Sequence, residues 1–330
     1  MSSKNVVMGL WKPYSCFDCQ CKILSDVNVS VLEAVDWTSF KFLEKCSSRG
    51  RRPVHSKVAM LRALIYMELR RIGSVRQLVK VLGSDKYIMK ILGLDRLPDH
   101  STFSKFKKLL SKHLDRIMSL LNSMTRLANP HHMSLVGVDS TILPAYSMKD
   151  GDADWGYDHI SKEYYKGYRV HILYDLPSLS PLCFTLTKAN VHDNTQVRPL
   201  IKKFGANTLN VKGFFADRGY DSKENIKRFL NLGIPMICRR NKRNSHKPEK
   251  KYRLQDYLPV HGNKLNKLYK NRMDCEYTNN LLKEHLNMTR VNTISMFRTK
   301  IKVGLTMIAR QIQVLYLTKQ RTNPRTAIII

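Results

Sequence analysis

MSLVGVDSTIL, residues 133–143, is the stretch whose reading decides the fold. It is apolar almost throughout, the pattern of a strand covered on both faces and so of a central position in a sheet. Asp139 interrupts that pattern. A carboxylate near the end of a buried strand is costly unless it is paired or holds a metal ion.

Downstream, after a Gly- and Asp-rich loop, GYRVHILYD (167–175) and PLCFTLTKAN (181–190) read as two strands joined by LPSLS. They predict an antiparallel pair following the first strand. Asp193, with Gln196 placed for a capping box, predicts a helix to about Phe204. VKGFFAD (211–217) is a second buried strand ending in a carboxylate, Asp217. Asp221 and Glu224 open the helix SKENIKRFLNL, Gly233 ends it, and IPMIC (234–238) follows as a strand. Such a strand–helix–strand crossover requires a parallel pair. The class is therefore α/β, a mixed sheet flanked by helices.

Further on, YKNRMDCEYTNNLLK (269–283) reads as one helix. At about 100° per residue, with Arg272 at zero, Glu276 falls near 40°, Lys283 near 20° and Tyr269 near 60°. One narrow stripe thus carries a carboxylate, two cations and a phenol. That suits a metal-and-phosphate site, or a solvated face with an Arg272–Glu276 ion pair.

Upstream of the first strand the periodicity is helical. VHSKVAMLRALIYMELRRIG predicts one helix ending near Gly73, Ser74 caps SVRQLVKVLG, and YIMKILGL adds a short helix. Asp99 or Ser101 would cap a single long helix reaching about Ala128. Short helices with Gly and Pro breaks and many Lys and Arg fit an all-α, helix-turn-helix-like DNA-binding domain. A bundle that braces the next domain or serves a dimer interface is the other reading. Boundaries follow: 1–53 an arm and linker, 54–130 helical, 131–320 the part built on the mixed sheet, and 321–330 a frayed tail. Near Asn28–Cys46 the arm has a short helical pattern, and SSRGRRP (47–53) is a linker or phosphate-contacting loop.

Composition names the partner. The chain has 57 Lys plus Arg against 26 Asp plus Glu, a net charge of +31, which selects a polyanion. Nucleic acid is the expected ligand, bound more weakly as salt rises. The hydrophobic content of 43% excludes wholesale disorder. No apolar run reaches the ~18 residues of a membrane span, and the start has no signal-peptide core, so a cytoplasmic, nucleoid-associated protein is expected. Seven cysteines, an odd number, suit a reducing compartment. Cys16, Cys19 and Cys21, with Cys46, lack the second half of a zinc motif, and free thiols are the preferred reading.

Two local features have competing readings. RRNKRNSHKPEKKYR (239–253) holds eight Lys or Arg and one Glu. Arg239, Arg240, Lys242 and Arg243 are either a solvated loop or contacts to DNA backbone. DGDADWGYD (150–158) spaces its aspartates like a calcium loop, but Trp155 occupies the glycine position and Ser161 the closing glutamate, so calcium is rejected. Trp155 is a loop anchor or a platform for an unpaired base. His192 reads as a structural partner at a helix start, and His131 and His132 as linker residues.

With the carboxylates placed, the chain resembles the DDE transposases of prokaryotic insertion sequences that carry a Tyr-Arg-Glu-Lys signature. Tyr269, Arg272, Glu276 and Lys283 match every gap of Y-x2-R-x3-E-x6-K. VGVDST (136–141), NVHD (190–193), FADRGYDS (215–222) and PDHSTFSKF (98–106) resemble further blocks of that family. About sixty residues separate Asp217 from Glu276, which resembles a compact branch without the long β-rich insertion. The resemblance implies an RNase H-like fold, with Asp139, Asp217 and Glu276 as catalytic triad and metal ligands. It also implies DNA cleavage and strand transfer with Mg2+, or Mn2+ in its place, as two ions per site. Tyr269, Arg272 and Lys283 would contact DNA, and a homodimer on double-stranded DNA is expected. A nuclease that cuts without joining, and a non-catalytic regulator derived from a transposase, are the alternatives.

Overall fold

The computed structural model describes residues 26–45, 53–205, 211–241, 250–289 and 292–325. Outside them lie the Cys16, Cys19, Cys21 and Cys46 cluster, the arginine run of 47–52, and Lys242 and Arg243.

The helical part begins with α1 (Val27–Glu33) and a 3-10 segment, Trp37–Glu44, capped by Asp26 and Asp36. α2 (Lys57–Leu69) starts at Ser56 and is buried on nearly all sides, as its largely apolar sequence requires, with Glu68 buried among the apolar residues. α3 (Val75–Ser84) is capped by Ser74, whose Oγ accepts from Gln77 N–H as expected. α4 (Lys86–Ile91) and α5 (His100–Leu110) are capped by Asp85 and Asp99, so Asp99 and not Ser101 opens the latter. Each such cap contributes about 1 kcal/mol.

The single helix expected to run to Ala128 is in fact two, because α6 (Leu114–Ala128) begins after a turn at 111–113. No glycine or proline marks that break. At the break Ser111 donates its hydroxyl back to the Lys108 carbonyl. The turn frees α5 to pack on α2 and α3 while α6 packs elsewhere.

The sheet has six strands: β1 (Leu135–Pro144), β2 (Asp154–Asp158), β3 (Glu163–Asp175), β4 (Ser180–Lys188), β5 (Gly213–Ala216) and β6 (Met236–Cys238). β1 is central, antiparallel to β3 and parallel to β5, and β6 is parallel to β5. β3 also pairs antiparallel with β4 and β2. This is the expected mixed sheet, antiparallel on one side of β1 and a crossover pair on the other. β2 stands where the sequence predicts a loop, and it pairs antiparallel with the start of β3, Glu163–Gly167, most of which extends past β1 and β4.

Two expected caps are not made. Asp193 precedes α7 (Val197–Phe204) through a 3-10 turn, and its carboxylate accepts from Arg169 at 3.1 Å instead. α8 (Lys223–Asn231) is capped by Ser222, because Asp221 is taken by Arg253 at 2.5 and 2.7 Å. Gly233 does end α8, at φ +71°. The helix expected over 269–283 carries one 3-10 turn, Lys270–Arg272, between α9 (Gly262–Tyr269) and α10 (Met273–His285).

α11 (Met296–Lys319) runs through the interior and packs on α2, α6 and β4, so helical part and sheet share one core. Its start is held by the rejected calcium loop: Asp150 accepts from Ser295 N–H at 3.1 Å, and Asp152 from Met296 N–H at 2.9 Å. Among the described residues no helix is long and apolar enough to cross a membrane.

Two further readings are corrected. His132 is fully buried, with Nδ1 3.0 Å from Asp175, because the chain turns inward before β1. The tail is docked as far as Arg325, whose guanidinium donates to Asp274 at 2.7 and 2.9 Å.

Gly137 decides how closely α10 lies on β1. A Cβ there would stand 2.4 Å from Cys275 Sγ and 2.8 Å from Leu176. Gly137→Ala is expected to lower stability by about 1–3 kcal/mol in urea unfolding, with part recovered by adding Cys275→Ala. An unchanged midpoint in the single variant would show that the helix stand-off is set elsewhere.

Candidate active site

Asp139 lies on β1 and Asp217 directly follows β5. The parallel register pairs Val138 with Ala216, so the next residues, the two aspartates, come side by side. α10 brings the third carboxylate. Cys275 is seated against Gly137, and Asn279 Nδ2 donates to Asp139 Oδ2 at 3.0 Å, so Glu276 on the same helix comes within electrostatic reach of Asp139. The structure thus gathers Asp139, Asp217 and Glu276 into one electrostatic field. Burial pushes the Asp139 carboxyl up to about 7, and the Asp217 and Glu276 charges add to the rise. Arg272 and the Ser140 N–H oppose it.

The signature cations line the same field. Burial works against the Arg272 charge, but Asp217, Tyr269, Glu276 and Asp139 outweigh it and raise its pKa. Arg272 is paired with Glu276, the i,i+4 contact foreseen as one reading of the stripe. Burial lowers the pKa of Lys283, with Asp139 and Asp158 opposing. Tyr269 is buried, and burial pushes its hydroxyl up to about 12. Its ring lies 4.6 Å from the Arg239 guanidinium and 5.9 Å from that of Arg272. A buried ring beside two guanidiniums is a cation–π platform. Arg240 is bound to Asp256.

Trp155 is on β2, half-exposed, at a cleft of about 550 Å³ that also takes in Tyr157, Tyr164, His192 and Asp217. It is no loop anchor. His192 is exposed in this cleft and makes no side-chain cap bond, contrary to the structural role expected for it.

Sequence reasoning missed Asn279 and Tyr174. Tyr174, fully buried on β3, donates to Asn279 Oδ1, and Asn279 in turn donates to Asp139. A signal existed: at about 100° per residue Asn279 falls near −20°, beside the functional stripe. Asp274, which ties α10 to Arg325, had no counterpart visible along the chain.

A carboxyl whose charge burial penalises, as at Asp139, with two further carboxylates in electrostatic reach, suits a hard divalent cation. The donor set, all oxygen, fits magnesium or manganese. In this arrangement Glu276 faces Arg272, and among the described residues no three acidic, His or Cys side chains already form a ligand cluster.

The family described as "Transposase DDE domain" matches residues 130–312, the whole sheet with α10 and most of α11. A second, "Transposase domain (DUF772)", matches residues 20–109. The chain belongs to the DDE-domain transposases, enzymes that cut and join DNA. It is a DNA transposase. A comparison with curated proteins finds no match. Among solved structures it is similar to piggyBac transposase in a synaptic complex with hairpin DNA, at 11% identity and a TM-score of 0.42, covering 93% of this chain and 80% of that one. A pre-cleavage Mos1 transpososome follows at 8% identity and a TM-score of 0.24, covering 83% and 82%.

A raised carboxyl lowers stability above its folded pKa. Below about pH 4 Asp139 is neutral in both states. Between about 4 and 7 the unfolded chain loses the proton first, and above 7 the cost is complete, on the order of 1–3 kcal/mol. Metal-free Asp139→Asn is therefore expected to melt a few degrees above wild type at pH 8, with the gap closing by pH 4. An equal gap at both pH values would show that Asp139 does not carry this cost.

Proposed function

We propose that Asp139, Asp217 and Glu276 are the catalytic triad of an insertion-sequence transposase, and that they hold two Mg2+ ions, with Mn2+ able to substitute. The observation that carries this reading is the single field uniting three carboxylates from β1, β5 and α10. When bound, divalent ions supply activation of the attacking oxygen and stabilisation of the leaving one at phosphorus.

The chain's own residues do the rest. Arg272 exchanges Glu276 for a DNA phosphate, which frees the carboxylate for its ligand role and gives the guanidinium a bidentate partner. The Tyr269 ring holds the Arg272 and Arg239 guanidiniums in position during that exchange. Lys283 offers a compact charge to a neighbouring phosphate. Trp155 stacks on an unpaired base in the cleft beside Asp217. Arg240, Lys242 and Arg243 add backbone contacts. Water as nucleophile releases a 3′-hydroxyl at the element end, and that hydroxyl then attacks target DNA, so strand joining needs no external energy source.

The helices between 54 and 130 bind the element ends as a helix-turn-helix-like domain, and two copies act together on double-stranded DNA in the cytoplasm. The short interval between Asp217 and Glu276 supports assignment to the compact branch of the Tyr-Arg-Glu-Lys group.

The test uses labelled end DNA, a supercoiled target and Mg2+. Wild type is expected to nick and then join. Asp139→Asn, Asp217→Asn and Glu276→Gln should each lose at least about a hundredfold in both steps. Arg272→Ala should cleave poorly while still binding DNA. Wild-type turnover in any triad variant would remove that residue from the site, and nicking without joining would make the protein a nuclease.

A further inference from the structure

We propose that Asn279 is a positioning residue for Asp139, held in one orientation by Tyr174. The inference rests on the triad reading above and adds to it a layer of residues behind the ligands.

Tyr174 lies opposite Gly137 in the β1–β3 ladder, and α10 crosses above that pair. The tyrosine is fully buried, and its hydroxyl donates to Asn279 Oδ1. Burial raises its pKa well above the usual phenol value, so the donor proton is retained. Asn279 is itself buried, at 6% exposure, and its amide nitrogen is 3.0 Å from Asp139 Oδ2. An amide has one accepting and one donating end. With the accepting end taken by the phenol proton, the donating end faces the carboxylate, which when ionised can only accept. Turning the amide over would leave the buried hydroxyl without an acceptor and set two oxygens against each other, at a cost comparable to a lost buried hydrogen bond.

This bond occupies one lone pair of Oδ2 and fixes the rotation of the Asp139 carboxyl. A carboxylate free to rotate on β1 would meet Asp217 and Glu276 in many orientations. One already bonded presents its remaining lone pairs in a single direction. Residues behind a ligand that orient it are commonly worth ten- to a hundredfold in metal affinity. The placement adds a second consequence. Asn279 stands one turn beyond Glu276 on α10, so the same helix that delivers the third carboxylate also sets the angle of the first. Any shift of α10 changes both together.

The experiment measures Mn2+ binding to the full chain by calorimetry and the Mg2+ concentration giving half-maximal cleavage of end DNA. Asn279→Leu is expected to raise the Mn2+ Kd and the half-maximal Mg2+ concentration, each by about tenfold or more. Tyr174→Phe should raise them less, and combined with Asn279→Leu should add nothing, because it acts only through the amide. Thermal melting of the metal-free proteins reports packing separately. If Asn279→Leu does not fold, Asn279→Ser, too short to bridge the gap, takes its place with the same expectation. Metal affinity equal to wild type in the Asn279 variant, whatever its melting temperature, overturns the proposal. So does a full added effect of Tyr174→Phe in the double variant. A wild type that binds no Mn2+ would instead overturn the triad reading on which this rests.

Discussion

The packing of Cys275 Sγ on α10 against the bare backbone of Gly137 on β1 is the contact on which the site depends. A sheet and a helix covered by ordinary side chains would stand farther apart. Here the missing side chain lets the helix sink until Asn279 reaches Asp139 and Glu276 joins the aspartates. Cys275 supplies a small apolar plug, fully buried and without a disulfide partner. Arg325 clamps the same helix from outside through Asp274, so α10 is held on two sides.

That proximity has an electrostatic cost, and the fold answers it locally. Burial penalises the Asp139 charge, and the nearby Asp217 and Glu276 charges add to that cost. Arg272 opposes it, and Lys283 in the same stripe feels the Asp139 charge in turn. The Arg272–Glu276 pair is a closed arrangement in which cation and carboxylate satisfy each other. DNA changes that balance because a phosphate competes for the guanidinium. The chain's net charge of +31 draws such a polyanion in, and the site then sorts charges at short range.

α11 carries the architecture around this centre. Its interior run includes Gln311, which donates to Asn122 on α6, and Lys302, which pairs with the buried Glu68 of α2. Polar groups buried in partnered form allow a nearly all-round apolar helix to keep one register. Asp150 and Asp152 cap its start, and Asp154, a few residues on, begins the strand bearing Trp155. The position of the aromatic cleft wall is thereby tied to the end of the central helix.

Much of this was legible along the chain. The apolar run around Asp139 placed a central strand, the Gly233 break and the run to Cys238 placed a parallel crossover, and the 3.6-residue period put Arg272, Glu276 and Lys283 on one face. These are local properties, since hydrophobic period, breakers and spacing act over a few residues. What the local pattern left open depended on partners distant in sequence. Asp193 and Asp221 had good capping positions, but arginines at 169 and 253 offered stronger, charged bonds. The helix expected through 111–113 broke because its two halves found different neighbours. Asn279 looked like any polar residue on a helix until Tyr174, more than a hundred positions away, fixed its amide. The sequence by itself determined which residue types stood at which periods, and so the fold class and the three carboxylates. Only the tertiary structure decided which hydrogen bonds those residues made, because a side chain with several possible partners is settled by whichever one folding brings within reach.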